Sequence, residues 1–142
     1  MYKKILVTLD NSPTDESILT HIMELAPHFH SSILLLHVAD GFAARCFDQL
    51  KLAESEEMKN DRAYLEKVAS RLRELKLSVE TRLALGNPPN EILKMAESEH
   101  CDLIAMAGHG HRLFGDIFHG STITEVRHKT SIPLLVVRAV KK

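Results

Sequence analysis

The segment Ala107–Ser121 carries Gly108, Gly110, Gly115 and Gly120, interleaves them with His109, His111 and His119, and runs into Ser121-Thr122. Glycine lets a backbone approach an anion closely and reach positive φ. A helix N-terminus offers unpaired N–H groups and the positive end of the helix dipole. With Ser121 or Thr122 as a hydroxyl donor at a helix start, the combination makes a cradle for phosphate. His109 and His111 could donate to the same anion, more strongly when protonated, near the usual histidine pKa of about 6.5. Arg112 and Lys129 are further candidate cations. Turn glycines, a helix cap and solvated surface charges would produce the same pattern, and spacing alone does not separate the two readings. The segment is neither a Gly-Lys-Ser/Thr phosphate loop nor a G-x-G-x-x-G turn.

Asp10 closes the apolar run Ile5–Leu9. It suits a ribose hydroxyl, or a Mg²⁺ carried in by a phosphorylated ligand, because Mg²⁺ typically takes one or two carboxylates plus substrate phosphates. It equally suits an Asx turn opening a helix. His28-Phe29-His30 and His109-Gly110-His111 have no cysteine or carboxylate cluster beside them, so no metal site is expected from the protein alone. No Gly-x-Ser-x-Gly elbow occurs, and no nucleophile–base pair can be assembled; fast catalysis is not indicated. Cys46 and Cys101 lack metal-ligand spacing and read as free thiols of a reducing compartment.

The elements that must position these residues follow from periodicity. Lys3–Leu9, Ser32–Val38, Val79–Leu85, Asp102–Ala107 and Pro133–Val137 are short apolar runs without clean alternation, the mark of strands buried on both faces. Between the first two, Ser12 suits an N-cap and Pro13 a first helical position, with Ile18, Leu19, Ile22, Met23, Ala26 and Phe29 at helical spacing. A long helix is expected over residues 53–76, with Leu65, Val68, Leu72 and Leu75 on one stripe. Asn87 caps a helix opening on Pro88-Pro89, and Ile92, Leu93 and Ala96 face the core. A last helix runs to about Lys129. Alternating strands and helices predict an α/β fold, a parallel sheet with helices on both faces. Ligands of such sheets bind outside the carboxyl ends of the strands, which points to the segments 10–12, 38–40, 86–90 and 107–121.

The 142 residues make one domain, 44% hydrophobic and 26% charged, with net charge −1. A general attraction to nucleic acid or an anionic membrane is not indicated. The five-residue run Ile5–Leu9 is shorter than the roughly 7–15 residues of a secretory segment, and no run approaches the ~20 of a membrane span.

Ala107-x2-Gly110-x9-Gly120-Ser121 resembles Gly-x2-Gly-x9-Gly-[Ser/Thr], the nucleotide motif of the universal stress protein family. K-K-I-L-V-T-L-D-N-S, L-L-H-V, G-N-P-P-N-E-I and S-I-P-L-L-V-V resemble family segments in family order, so the likeness spans nearly the whole chain. The first motif glycine is replaced by Ala107, with Gly108 one place later. The resemblance implies a Rossmann-like, adenine nucleotide alpha hydrolase-like fold whose five-stranded parallel sheet has the order 3-2-1-4-5, usually as a homodimer. It implies a cytoplasmic stress-response binding or signalling module for an adenine nucleotide, ATP or AMP. Thr8, Leu9 and Asp10 would approach adenine and ribose, and Val38 would bond adenine through its backbone. Met106, Ala107 and Gly110 through Leu113, that is Gly110, His111, Arg112 and Leu113, would wrap ribose and phosphates. Gly120, Ser121, Thr122 and Ile123 would hold phosphates. That order also leaves Leu134, Leu135, Val136 and Val137 on an apolar sheet edge, which a second copy would cover by two-fold pairing. A member that has lost nucleotide binding and works through protein contacts, and a slow ATPase, stay open on the residues.

Overall fold

Ile5, Leu6 and Val7 are consecutive and fully buried. Neighbouring residues of a strand point to opposite faces, so both faces of this strand must be covered. In the computed structural model, which describes residues 1–39, 56–109 and 116–139, the cover is helical. The elements run β1 (Lys4–Thr8), α1 (Asp15–Phe29), β2 (Ser32–Ala39), α2 (Glu56–Arg73), β3 (Ser78–Leu85), α3 (Pro88–Ser98), β4 (Leu103–His109), α4 (Asp116–Lys129) and β5 (Leu134–Ala139). The strands form one sheet in the order β3-β2-β1-β4-β5, and every pairing is parallel.

Two cores result, one on each face. Ile5, Val7, Ile33 and Leu35 pack with Ile18, Leu19 and Ile22 of α1 and Leu65, Val68 and Leu72 of α2. Leu6, Leu34, Leu36, Ile104 and Met106 pack with Ile92 and Ala96 of α3 and Val126 of α4. Each buried Leu or Ile contributes roughly 1.5–3 kcal/mol relative to an exposed one, and the odd and even residues of β1 and β2 divide that gain between the two faces.

The structure adjusts the expected boundaries. β4 continues through Gly108 and His109, because β5 continues beside it and pairs Arg138 with Gly108 and Ala139 with His109. Leu75, expected on the buried stripe of α2, lies past the helix end and is 51% exposed. Ser12 is not the N-cap of α1. That position falls to Thr14, in the right-handed helical region and without a side-chain cap bond, while Ser12 Oγ engages Asp10 Oδ1 at 2.5 Å and Thr14 Oγ1 at 2.7 Å. Cys101 is buried, and burial pushes its thiol up to about 11, consistent with an inert free cysteine; Cys46 lies outside the described residues. Among the described residues no helix is long and apolar enough to cross a membrane.

The turn into α3 matches its sequence signature closely. Gly86 takes φ +139°, which side-chain-bearing residues rarely adopt. Asn87 Oδ1 then accepts the Asn90 N–H at 3.2 Å, and the prolines fill the first helical positions. Asn87→Ala is expected to lower stability by about 1 kcal/mol. Urea unfolding of variant and wild type checks this; coincident midpoints would show that the cap contributes nothing.

Candidate functional site

β1 is the central strand, and it ends while β2 runs on. Leu9 N–H donates to Leu36 O at 2.8 Å just past the end of β1. Val38, two residues beyond Leu36, therefore turns its backbone groups to the same side, past the last residue of β1 that could pair with it. A crevice opens there at the carboxyl ends of β1, β2 and β4. It encloses about 430 Å³, within the usual range for small-molecule sites.

Thr8, Leu9 and Asp10 line it from β1, Val38 from β2, Met106 and Ala107 from β4, and Thr122 and Ile123 from α4. All eight were singled out from the sequence. Ala107 lies inside β4, paired with Val137, and is not among the residues with positive φ. Its methyl group therefore sits on extended backbone without conformational cost. Gly108 is not in the crevice wall; a Cβ there would stand 3.3 Å from Val136 Cγ1 and 3.5 Å from Ile123 Cδ1, so its smallness serves the packing of β5 and α4. His109 falls in β4. Gly120 and Ser121 fall in α4, which begins at Asp116. Those two and Thr122 thus occupy the second turn, not the helix start expected of them. Second-turn N–H groups ordinarily bond carbonyls four residues back. Gly110, His111, Arg112 and Leu113 lie outside the described residues. Lys129 is in the last turn of α4, 3.6 Å from Glu125, at the opposite end of that helix from the crevice. His28 and His30 are likewise at the far end of α1.

The bank formed by α1 and α2 holds polar residues that the motif reading missed. Asp15 is 2% exposed. Its carboxylate accepts three successive backbone N–H groups, from Asp10 at 3.1 Å, Asn11 at 3.0 Å and Ser12 at 3.4 Å, and the Tyr64 hydroxyl at 2.7 Å. Asn11 adopts φ 61°, which bends this loop so that the three amides converge. Asp61, 6% exposed, accepts Asn11 Nδ2 at 3.0 Å and stands 3.1 Å from His37 Nε2. His37 Nδ1 donates to Leu9 O at 2.8 Å. Tyr64 and Asp61 both belong to α2, so that helix is bound directly to the loop after β1. On the outer surface Arg71 of α2 grips Glu16 of α1 with both terminal nitrogens, at 2.6 and 2.9 Å.

The electrostatics follow from burial. Asp15 is raised to about 6, first by desolvation and then by the neighbouring Asp10 charge, against the lowering effect of the Tyr64 hydrogen bond. Burial, followed by the hydrogen bond to Asp15, pushes the Tyr64 hydroxyl far above its ordinary range and keeps it a donor. Two of these residues had a visible signal. His37 interrupts the apolar run of β2, and Asp61 falls on the stripe Met58, Leu65, Val68 and Leu72 that α2 buries. Asp15 stands three residues beyond Ser12, as the acid of a capping box does, and accepts the Ser12 N–H, but nothing in the sequence marks its bond to Tyr64. Among the described residues no group of three His, Cys, Asp or Glu is arranged to hold a metal ion.

The model of the universal stress protein family matches residues 1–138. The universal stress protein MJ0577 of Methanocaldococcus jannaschii is 31% identical, over 97% of this chain and 96% of its own length. Its solved structure superposes with a TM-score of 0.80, covering 100% of this chain and 99% of that one. Two more distant solved structures share the fold. One is a universal stress protein of Archaeoglobus fulgidus in complex with dAMP, at 19% identity and TM-score 0.71, covering 96% of this chain and 98% of its own. The other is a universal stress protein in complex with cAMP, at 15% identity and TM-score 0.70, covering 96% and 97%.

The raised Asp15 gives a test of this geometry. Between the ordinary aspartate value of 3.8 and about 6 the folded protein holds a proton that the unfolded chain has released. The cost of ionising this buried acid is therefore present above pH 6 and relieved as pH falls towards 4. Asp10 from the loop after β1 and Tyr64 from α2 face it and are retained in Asp15→Asn, so the difference between the proteins reports the Asp15 carboxyl together with its effect on Asp10. Between pH 7.5 and 4.5 wild type is expected to gain stability relative to Asp15→Asn, by up to about 2 kcal/mol. Urea unfolding at several pH values measures it; parallel curves would mean that Asp15 titrates normally.

Proposed function

The chain belongs to the universal stress protein family, and from that premise we propose that it binds an adenine nucleotide, ATP or AMP, in the crevice at the ends of β1, β2 and β4. The observation that carries this reading is the single cavity wall shared by Thr8, Leu9, Asp10, Val38, Met106, Ala107, Thr122 and Ile123. Leu9, Val38, Ile92 and Met106 offer apolar contact to a base, and the backbone of Val38 offers hydrogen bonds to its edge. Asp10 offers an acceptor for ribose hydroxyls and the one carboxylate that a Mg²⁺ arriving on a triphosphate needs. Phosphates lie towards Thr122 and the glycine-containing segment before it. The dAMP and cAMP held by two proteins of the same fold support an adenine ligand. In this reading the protein is a stress-response binding or signalling module of the cytoplasm.

Mass spectrometry of freshly purified, denatured protein is expected to release an adenine nucleotide. Calorimetry with ATP, ADP and AMP is expected to find saturable binding. Gly120→Val, at the position the family motif assigns to phosphate, is expected to weaken binding at least tenfold at an unchanged unfolding midpoint. A folded sample that binds none of the three at millimolar concentration would sink the proposal.

The same reading includes a homodimer formed through β5, an edge strand. Val136 is 46% exposed, Leu134 and Leu135 are half-buried, and Val137 packs into the chain's own core. Val136 is therefore the side chain on which a two-fold contact would rest, with the open backbone edge of β5 beside it. Val136→Lys is expected to shift the sedimentation coefficient from dimer to monomer; a dimeric variant would put the interface elsewhere.

A further inference from the structure

We propose that Asp15 determines which part of a nucleotide the α1 bank of the crevice accepts: its carboxylate occupies the amide cradle of residues 10–12 and shuts phosphate out of it. The inference rests on the crevice being an adenine-nucleotide site and adds to that reading the orientation of the ligand and a discrimination by charge.

In parallel α/β folds the loop from a strand into a helix is a common seat for phosphate, because successive N–H groups and the helix dipole point at the ligand. The loop after β1 has that form. The N–H groups of Asp10, Asn11 and Ser12 converge on one point, with Asn11 at φ 61° turning the peptides inward, which is the geometry of an anion-binding nest. The anion in the nest is the protein's own Asp15 carboxylate. The Tyr64 hydroxyl clamps it from α2, and both Asp15 and the nest border the cavity.

A phosphate brought to this bank would have to displace Asp15 from its amides. It would also face Asp10, Asp61 and Glu57, which line the same side. Hydroxyl groups meet the opposite situation, since they donate to carboxylates. The α1 bank therefore takes the hydroxyl-bearing, neutral part of the ligand, and the phosphates go to the Thr122 bank. Each phosphate added to the ligand is penalised by the Asp15 charge, so removing that charge favours ligands in proportion to their phosphates.

Affinities of adenosine, AMP, ADP and ATP are measured for wild type and Asp15→Asn at pH 8 in the presence of a chelator. The readout is the ratio of ATP to adenosine affinity, which a general loosening of the fold does not move. It is expected to rise at least fivefold in Asp15→Asn, with AMP and ADP between. An unchanged ratio overturns the inference. A second experiment needs no nucleotide. Asp15→Ala, or Asp15→Ser should the first variant not fold, is titrated with inorganic pyrophosphate while the amide resonances of Asp10, Asn11 and Ser12 are followed by NMR. These are expected to shift in the variant and stay fixed in wild type. Static resonances in a folded variant overturn the cradle even where nucleotides bind. Shifting resonances together with a wild type that binds no nucleotide would sustain the plugged cradle and sink the nucleotide reading alone.

Discussion

Ile5, Leu6 and Val7 stand side by side in the chain and are all shut from water, so the first strand has no face to spare for solvent. An antiparallel hairpin could not cover both of its faces; crossover helices can, and they require parallel neighbours. From that requirement come α1 and α2 on one side, α3 and α4 on the other, and a sheet in which β2 and β4 flank β1. The helices that follow β1 and β2 lie on one face and the helix that follows β4 on the other. Their divergence leaves a gap above the end of β1, and the crevice is that gap. The site is thus a by-product of how the core is closed.

The loop after β1 shows what it costs to build a wall for such a gap. Three N–H groups beyond the end of a strand must find acceptors or water. Asp15 supplies an acceptor at the expense of burying a carboxyl, and the raised pKa is the measure of that expense. Tyr64 and the pair Asp61–His37 then fix the loop from the outside. Asp15 accepts both from the loop after β1 and from Tyr64 of α2, the condition under which buried polar groups specify one geometry.

Much of this was legible in the sequence because it is local or periodic. The strands read as apolar runs, the turn Gly86-Asn87-Pro88-Pro89 names its own cap, and the family segments fixed the strand order that periodicity leaves open. The crevice wall was legible in two parts: periodicity points to the segments that follow β1, β2 and β4, and the family resemblance names the individual residues from Thr8 to Ile123, the last two of them in α4. What was not legible depends on contacts between distant segments. Nothing adjacent to Asp15 announces that Tyr64, 49 positions away, will donate to it. Ser12 has the chemistry of an N-cap but is drawn off by Asp10 and Thr14. β4 outruns its apolar stretch because its length is set by β5, a constraint held in another part of the chain.

The attachment of α2 has a thermodynamic consequence. This helix lines the crevice with Glu57 and Asp61, and its Asp61 and Tyr64 hold the loop that a ligand would meet first. Occupancy of the crevice and seating of α2 are therefore linked equilibria. Whatever stiffens the loop makes α2 harder to lift, and by reciprocity whatever binds α2 and changes its seating alters the affinity of the crevice by the same factor. The outward side of α2, with Glu56, Lys59, Asn60, Arg62, Glu66 and Lys67, is then the surface from which the crevice can be read, or tuned, from outside.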